Sequence, residues 1–151
     1  MNPLGIQKWD VVWVNDTDNV TTGREMMTNR PAVVISDPYY LDHVGLATVL
    51  YLTTNLKYKS RKNRPVIQSA GVTSCVVCEQ PVTVDILKIE RGVSHLSPSE
   101  IQQVEYAFMQ TFQLETNGML RKQIVQKDAQ ISRQKRKLKQ LQQGGTNGKK
   151  C

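Results

Sequence analysis

Histidine, cysteine and long apolar runs are all scarce in this sequence, and each scarcity removes a class of function. With only His43 and His95, a histidine-pair acid–base site would need both to meet in space, and nothing in the sequence joins them. Three cysteines, an odd number without a signal-peptide layout in MNPLGIQKWDVVWV, suit a reducing cytoplasm better than a disulfide framework. The sequons at Asn15 and Asn19 then carry no weight. Cys75 and Cys78 form a C-x-x-C inside a β pattern, where side chains three apart point to opposite faces and cannot easily chelate one ion. They read as buried structural thiols. No run approaches the ~18 apolar residues of a membrane span. There is no Walker loop, no G-x-G-x-x-G and no metal-spaced cluster, so neither a metal nor any other cofactor is expected.

Acidic residues are missing from one end only. Residues 117–151 hold ten Lys/Arg against Asp128 alone, whereas residues 1–116 hold ten Lys/Arg against twelve Asp/Glu. The formal net charge of +7 is therefore a property of the tail. Within the first part the positive charge gathers in KYKSRKNR, as Lys57, Lys59, Arg61, Lys62 and Arg64. Such a run is either a solvated loop or a phosphate-binding patch. Its place directly after a strand ending in Thr53 favours phosphate.

The length of 151 residues allows about one domain with a real core. Its first two-thirds reads as short strands separated by turns. These are DVVWV (10–14), PAVVIS (31–36), LATVLYLTT (46–54), PVIQ (65–68) and VTSCVVCEQPVTVDI (72–86), the last with a bulge or break at Pro81. In the third, Ala47, Val49, Tyr51 and Thr53 share one face, and Leu46, Thr48, Leu50 and Leu52 the other. LSPSEI (96–101) marks a helix start, with Ser97 as cap, Pro98 at the first position and Glu100 completing a capping box. Leu96 and Ile101 are spaced as a hydrophobic staple. Ile101, Val104, Phe108 and Phe112 form one apolar stripe, and Asn117-Gly118 is the expected stop. The pattern predicts an α+β domain over 1–116, a small antiparallel sheet or barrel closed by one helix. Over 117–151 it predicts a basic, partly helical or disordered tail ending in a flexible GGTNGKK. In that tail Ile124, Ile131 and Leu138 recur every seven residues, but Lys127 and Gln134 break the second apolar row of a coiled coil.

One short stretch points to chemistry. In TNRPAVVIS (28–36) Pro31 forces Arg30 into extended backbone, at the point where a buried run opens to solvent. With the threonine that ends the LATVLYLTT strand and the GRE of the first loop, this completes a specific set. WDVVWV, GRE, NRPAVVIS, LTTN, CEQPVTVD and the closing helix, in this order over roughly residues 6–115, resemble the MazF/PemK family of toxin endoribonucleases.

That resemblance implies an SH3-like barrel of the MazF, CcdB and Kid type. It implies a cytoplasmic homodimer neutralised by a cognate antitoxin and binding DNA with it. Its activity would be metal-independent cleavage of single-stranded RNA, often mRNA, which arrests translation and growth. The family's arginine before proline falls on Arg30, its strand-end threonine on Thr53 with Thr54 as second choice, and its first-loop glutamate on Glu25. The basic residues Lys57, Lys59, Arg61, Lys62 and Arg64 would bind RNA. The family's glycine before the first-strand aspartate is Trp9 here, and the glutamine and glycine after its loop glutamate are Met26 and Thr28. The residue types suit the reaction. Attack of a 2′-hydroxyl concentrates negative charge on phosphate oxygens, which a planar guanidinium meets bidentately and a hydroxyl can join as neutral donor. Two other classes compete: a non-enzymatic CcdB-like inhibitor of DNA gyrase, and a nucleic-acid-binding barrel without cleavage.

Overall fold

The computed structural model of the chain describes residues 2–16, 29–114 and 117–147. Two compact units divide it, Met1–Gln113 and Leu114–Cys151. Among the described residues the first unit holds six strands: β1 (Asp10–Asn15), β2 (Asn29–Val34), β3 (Leu46–Thr53), β4 (Val66–Ser69), β5 (Val72–Asp85) and β6 (Ile89–His95). They form one sheet in the order β4-β5-β3-β2-β1-β6, and each neighbouring pair runs antiparallel.

Alternation of apolar side chains sorts the sheet into two cores, one per face. Val12, Val14, Ala32, Val34, Val49 and Tyr51 lie on one face, and Val11, Val33, Leu50, Leu52 and Val76 on the other. The second face is covered by α1 (Pro98–Phe112), whose Val104 and Ala107 are buried against it. The faces expected for the third strand are the faces observed. The curl brings the two end strands together: the hydroxyls of Ser69 on β4 and Ser94 on β6 lie 2.8 Å apart. Glu100 of α1 accepts from the Gln68 backbone N–H at 2.7 Å. The barrel thus closes through side chains, because among the described residues no backbone ladder joins β4 to β6.

The helix start is built as its sequence specifies. The Glu100 N–H donates to Ser97 Oγ, the Ser97 N–H donates to Glu100 Oε1 at 3.0 Å, and Pro98 opens the helix. The stop is not where Asn117-Gly118 suggested. α1 ends at Phe112, because Gln113 adopts left-handed backbone (φ 51°) and its N–H returns to Gln110 and Met109 carbonyls. Asn117 instead begins α2 (Asn117–Asn147), a helix of 31 residues that runs through Gly144 and Gly145. Most of GGTNGKK, expected to be flexible, is therefore helical up to Asn147, and its last residues lie outside the described ones. Where side chains of α2 are described, from 121 to 144, all are exposed.

Candidate active site

The register of β2 on β3 brings the two expected site residues together. Ala32 pairs with Tyr51, Val33 with Leu50 and Val34 with Val49. Continuing that antiparallel register by two residues sets Arg30 opposite Thr53, on the same face as Ala32 and Tyr51. The ladder itself stops at Ala32, beside Pro31, which has no N–H to extend it. Beyond that point the strands part into a cleft of about 230 Å³ lined by Asn29, Arg30, Pro31, Leu52, Thr53, Thr54 and Ser74. Arg30 is not ahead of the strand, as TNRPAVVIS suggested. It is the second residue of β2, paired with Val14 of β1, so the ladder on that side as well as Pro31 fixes its backbone. The Thr53 hydroxyl oxygen accepts from the Asn55 N–H at 3.2 Å. Its own proton stays available to be donated into the cleft.

Behind the cleft lies a polar layer that the sequence did not flag. Tyr51 is 1% exposed, and its hydroxyl has no hydrogen-bond partner among the described residues. Burial pushes the Tyr51 phenol above its usual pKa, the charge of Asp16 adds to the rise, and Arg30 opposes it. Arg30 and Asp16 thus both act electrostatically on the Tyr51 ring. Asp16 is itself buried and is bridged by Lys88. The parity of Tyr51 with Thr53 in LATVLYLTT was the available signal for Tyr51. Asn29, which lines the cleft and accepts from Trp13 Nε1 at 2.9 Å, had none.

The basic loop follows β3 as a short 3₁₀ turn (Leu56–Tyr58). Lys57, Lys59, Arg61 and Lys62 are exposed on it. Arg64 differs: its side chain is 12% exposed and its Nε donates to Glu79 Oε1 at 2.7 Å. It braces the loop against β5. Desolvation raises the Cys75 thiol, while Arg64 and Lys59 pull it back, so both cations lie within electrostatic reach of the residue paired with Thr53. The loop begins at Asn55, the residue after Thr54 of the cleft.

Other candidates separate. Glu25, Met26 and Thr28 lie outside the described residues. His43 sits at Tyr40–Val44 with Nδ1 3.1 Å from the Tyr39 carbonyl oxygen, and His95 Nδ1 is 2.7 Å from Asp10 Oδ1. Neither histidine lines the cleft. Cys75 and Cys78 are buried, and burial pushes Cys78 up to about 12. Among the described residues, no three of His, Cys, Asp and Glu gather closely enough to hold a metal ion, and no helix is long and apolar enough to cross a membrane. Trp9 adopts φ 71°, left-handed backbone that glycine takes without strain.

Residues 7–112 match the family model described as the PemK-like, MazF-like toxin of type II toxin–antitoxin systems. No curated protein matches the sequence. Among solved structures, MazF from Deinococcus radiodurans is 19% identical with a TM-score of 0.61, covering 71% of this chain and 96% of that one. An endoribonuclease bound to its cognate antitoxin, from a mycobacterial species, is 12% identical with a TM-score of 0.60, covering 74% and 99%. A MazE–MazF complex from D. radiodurans is 17% identical with a TM-score of 0.57, covering 71% and 94%. At these identities the likeness establishes the fold.

Proposed function

Because the chain belongs to the family of PemK-like, MazF-like toxins of type II toxin–antitoxin systems, we propose that its cleft is the active site of a metal-independent endoribonuclease. The observation that carries this reading is the meeting of Arg30 and Thr53 across the open end of the β2–β3 ladder. The substrate is single-stranded RNA, including mRNA. Its 2′-hydroxyl oxygen attacks the adjacent phosphorus, forming the 2′,3′-cyclic phosphate, while the bond to the 5′-oxygen breaks. The 2′-hydroxyl proton passes to a base, for which Glu25 of the first loop is the proposed group. The departing 5′-oxygen takes a proton from water and leaves as a 5′-hydroxyl.

Arg30 meets the charge that gathers on the non-bridging oxygens. A guanidinium carries two parallel donors, stays ionised at any working pH, and here sits on a strand that fixes its backbone. Thr53 adds a neutral donor to the same oxygens, its acceptor side already occupied by the Asn55 N–H. Lys57, Lys59, Arg61 and Lys62 at the rim hold flanking phosphates and set the register of the strand without reading bases. Arg64 takes part through its bridge to Glu79, which holds the loop in place. The toxin acts as a homodimer in the cytoplasm, where its cognate antitoxin neutralises it.

Incubation of the purified full chain with a long RNA in EDTA tests the proposal. Discrete fragments ending in 2′,3′-cyclic phosphate and 5′-hydroxyl are expected. A mobility shift without fragments would make the protein a binder. Neither shift nor fragments would leave a non-enzymatic inhibitor.

A further inference from the structure

The element that the family match leaves over is α2, which begins after residue 112. We propose that α2 is a second, sequence-independent RNA-binding surface, an arm that grips the phosphate backbone of the RNA cut at the Arg30 cleft. The choice of RNA rests on the ribonuclease reading; the polyanion chemistry does not.

Charge comes first. From 121 to 144 the helix carries eight Lys/Arg against Asp128 alone, all exposed. At 100° per residue, Lys122, Arg133, Arg136 and Lys137 fall on the side away from Ile124, Ile131 and Leu138. Toward the C-terminal half the basic residues surround the axis, since five of the seven residues 133–139 are Lys or Arg. A docked protein helix would call for one continuous apolar seam, which Lys127 and Gln134 interrupt. A flexible polyanion can wrap a helix charged on every side. The 31 residues of α2 extend about 46 Å, long enough to meet several successive phosphates.

Composition narrows the partner further. No aromatic residue follows Phe112, so the arm has no ring on which to stack bases and none of the Trp or Phe anchors of a membrane-surface helix. Glutamine is abundant between 123 and 143, and its amide donates to phosphate and sugar oxygens. Self-pairing is opposed by Lys127 and Gln134 in the second seam row and by repulsion between two copies of the same positive helix. What remains is contact with the backbone, independent of base sequence.

The test replaces Lys122, Arg133, Arg136 and Lys137 by Gln in the full chain. Glutamine has similar helix propensity, so far-UV circular dichroism should be unchanged. Binding of a fluorescent mixed-sequence single-stranded oligoribonucleotide is measured across salt in an Arg30→Ala background, which prevents its consumption. With about 0.7 of slope per phosphate contact on single strands, losing four contacts should flatten the plot of log affinity against log salt by roughly 3. With Arg30 intact, cleavage positions on a long RNA should not move. An unchanged salt slope overturns the proposal, and so does a loss of self-association with the slope unchanged, which would make α2 a pairing helix. If the wild-type chain cuts no RNA, the ribonuclease reading fails while the slope still decides the arm.

Discussion

At Trp9 the backbone and the side chain pull in opposite directions, and the difference can be measured. The backbone is held at φ 71° by the Trp9 N–H donating to the Val34 carbonyl at 2.8 Å and by its carbonyl accepting from Leu96 at 3.1 Å. For a residue with a Cβ, left-handed backbone costs about 1–2 kcal/mol. The indole offsets this by packing, partly buried, on the α1-covered core, with Lys8 Nζ 5.0 Å from its ring centre. A fully covered aromatic side chain buries on the order of 200 Å². Taking about two-thirds of that at ~25 cal/mol per Å² gives roughly 3 kcal/mol of burial. Trp9→Gly recovers the strain but loses that burial and adds about 0.5–1 kcal/mol of unfolded-chain entropy. It should therefore be less stable than wild type by about 2 kcal/mol. Trp9→Ala loses the same packing and keeps a strained Cβ, so it should fall below Trp9→Gly by about 1 kcal/mol. Urea unfolding with matched slopes reads both differences. Alanine equal to or above glycine would refute backbone strain at this position, and glycine above wild type would refute the burial argument.

At the cleft, Arg30→Ala should slow RNA cleavage by roughly a hundredfold or more and Arg30→Lys should rescue little, measured as single-turnover rates on folded protein. Thr53→Ala should cost about tenfold in the same assay, since a neutral donor rather than a charge is lost. Glu100 offers a pH test: burial pushes its carboxyl up, but the N–H donors of Ser97 and Gln68 and the Ser97 hydroxyl outweigh burial and leave it below the usual 4.5. A lowered folded pKa contributes stability above the unfolded value and loses it as pH falls through the folded one. The urea midpoint of wild type should therefore exceed that of Glu100→Gln at pH 7 and converge with it in acid. Cys75 and Cys78 should resist iodoacetamide in native protein and react after unfolding, read by peptide mass mapping, because both are buried and their thiols are held above the usual pKa.

Local signals in the sequence located what depends on neighbours in the chain. The capping box at Ser97 and Glu100, the alternation in LATVLYLTT and the bulge or break expected at Pro81 all depend on residues a few positions apart. The irregularity appears as a register shift on β5 opposite Leu50 and Leu52. β6 was not recognised, because IERGVSH buries only Ile89 fully and so carries little apolar alternation. The α1 stop was misplaced because Gln113 takes left-handed backbone without being Gly or Asn. The meeting of Arg30 and Thr53 at one cleft depends on a register between strands separated by a loop, which no local pattern encodes. Family resemblance supplied those two residues before geometry did. Arg30 and Asp16 act on Tyr51 through space, from a neighbouring strand and from just beyond a strand end, and beyond its parity with Thr53 nothing local marked Tyr51 out.

The contact between β4 and β6 has a kinetic meaning. A backbone ladder parts cooperatively, whereas two hydroxyls trade each other for water at a net cost of about 1 kcal/mol. The lips of the barrel at Ser69 and Ser94 can therefore separate and rejoin while β2, β3 and β5 stay laddered. Amide hydrogens of β4 and β6 that face the gap, such as that of Gln68, would exchange through such brief partings, and those at the centre of β3 only when the whole domain unfolds. The sheet then behaves as a sprung clip whose curvature is set by its two cores and whose gap is set by a hydroxyl pair and the Glu100–Gln68 tether.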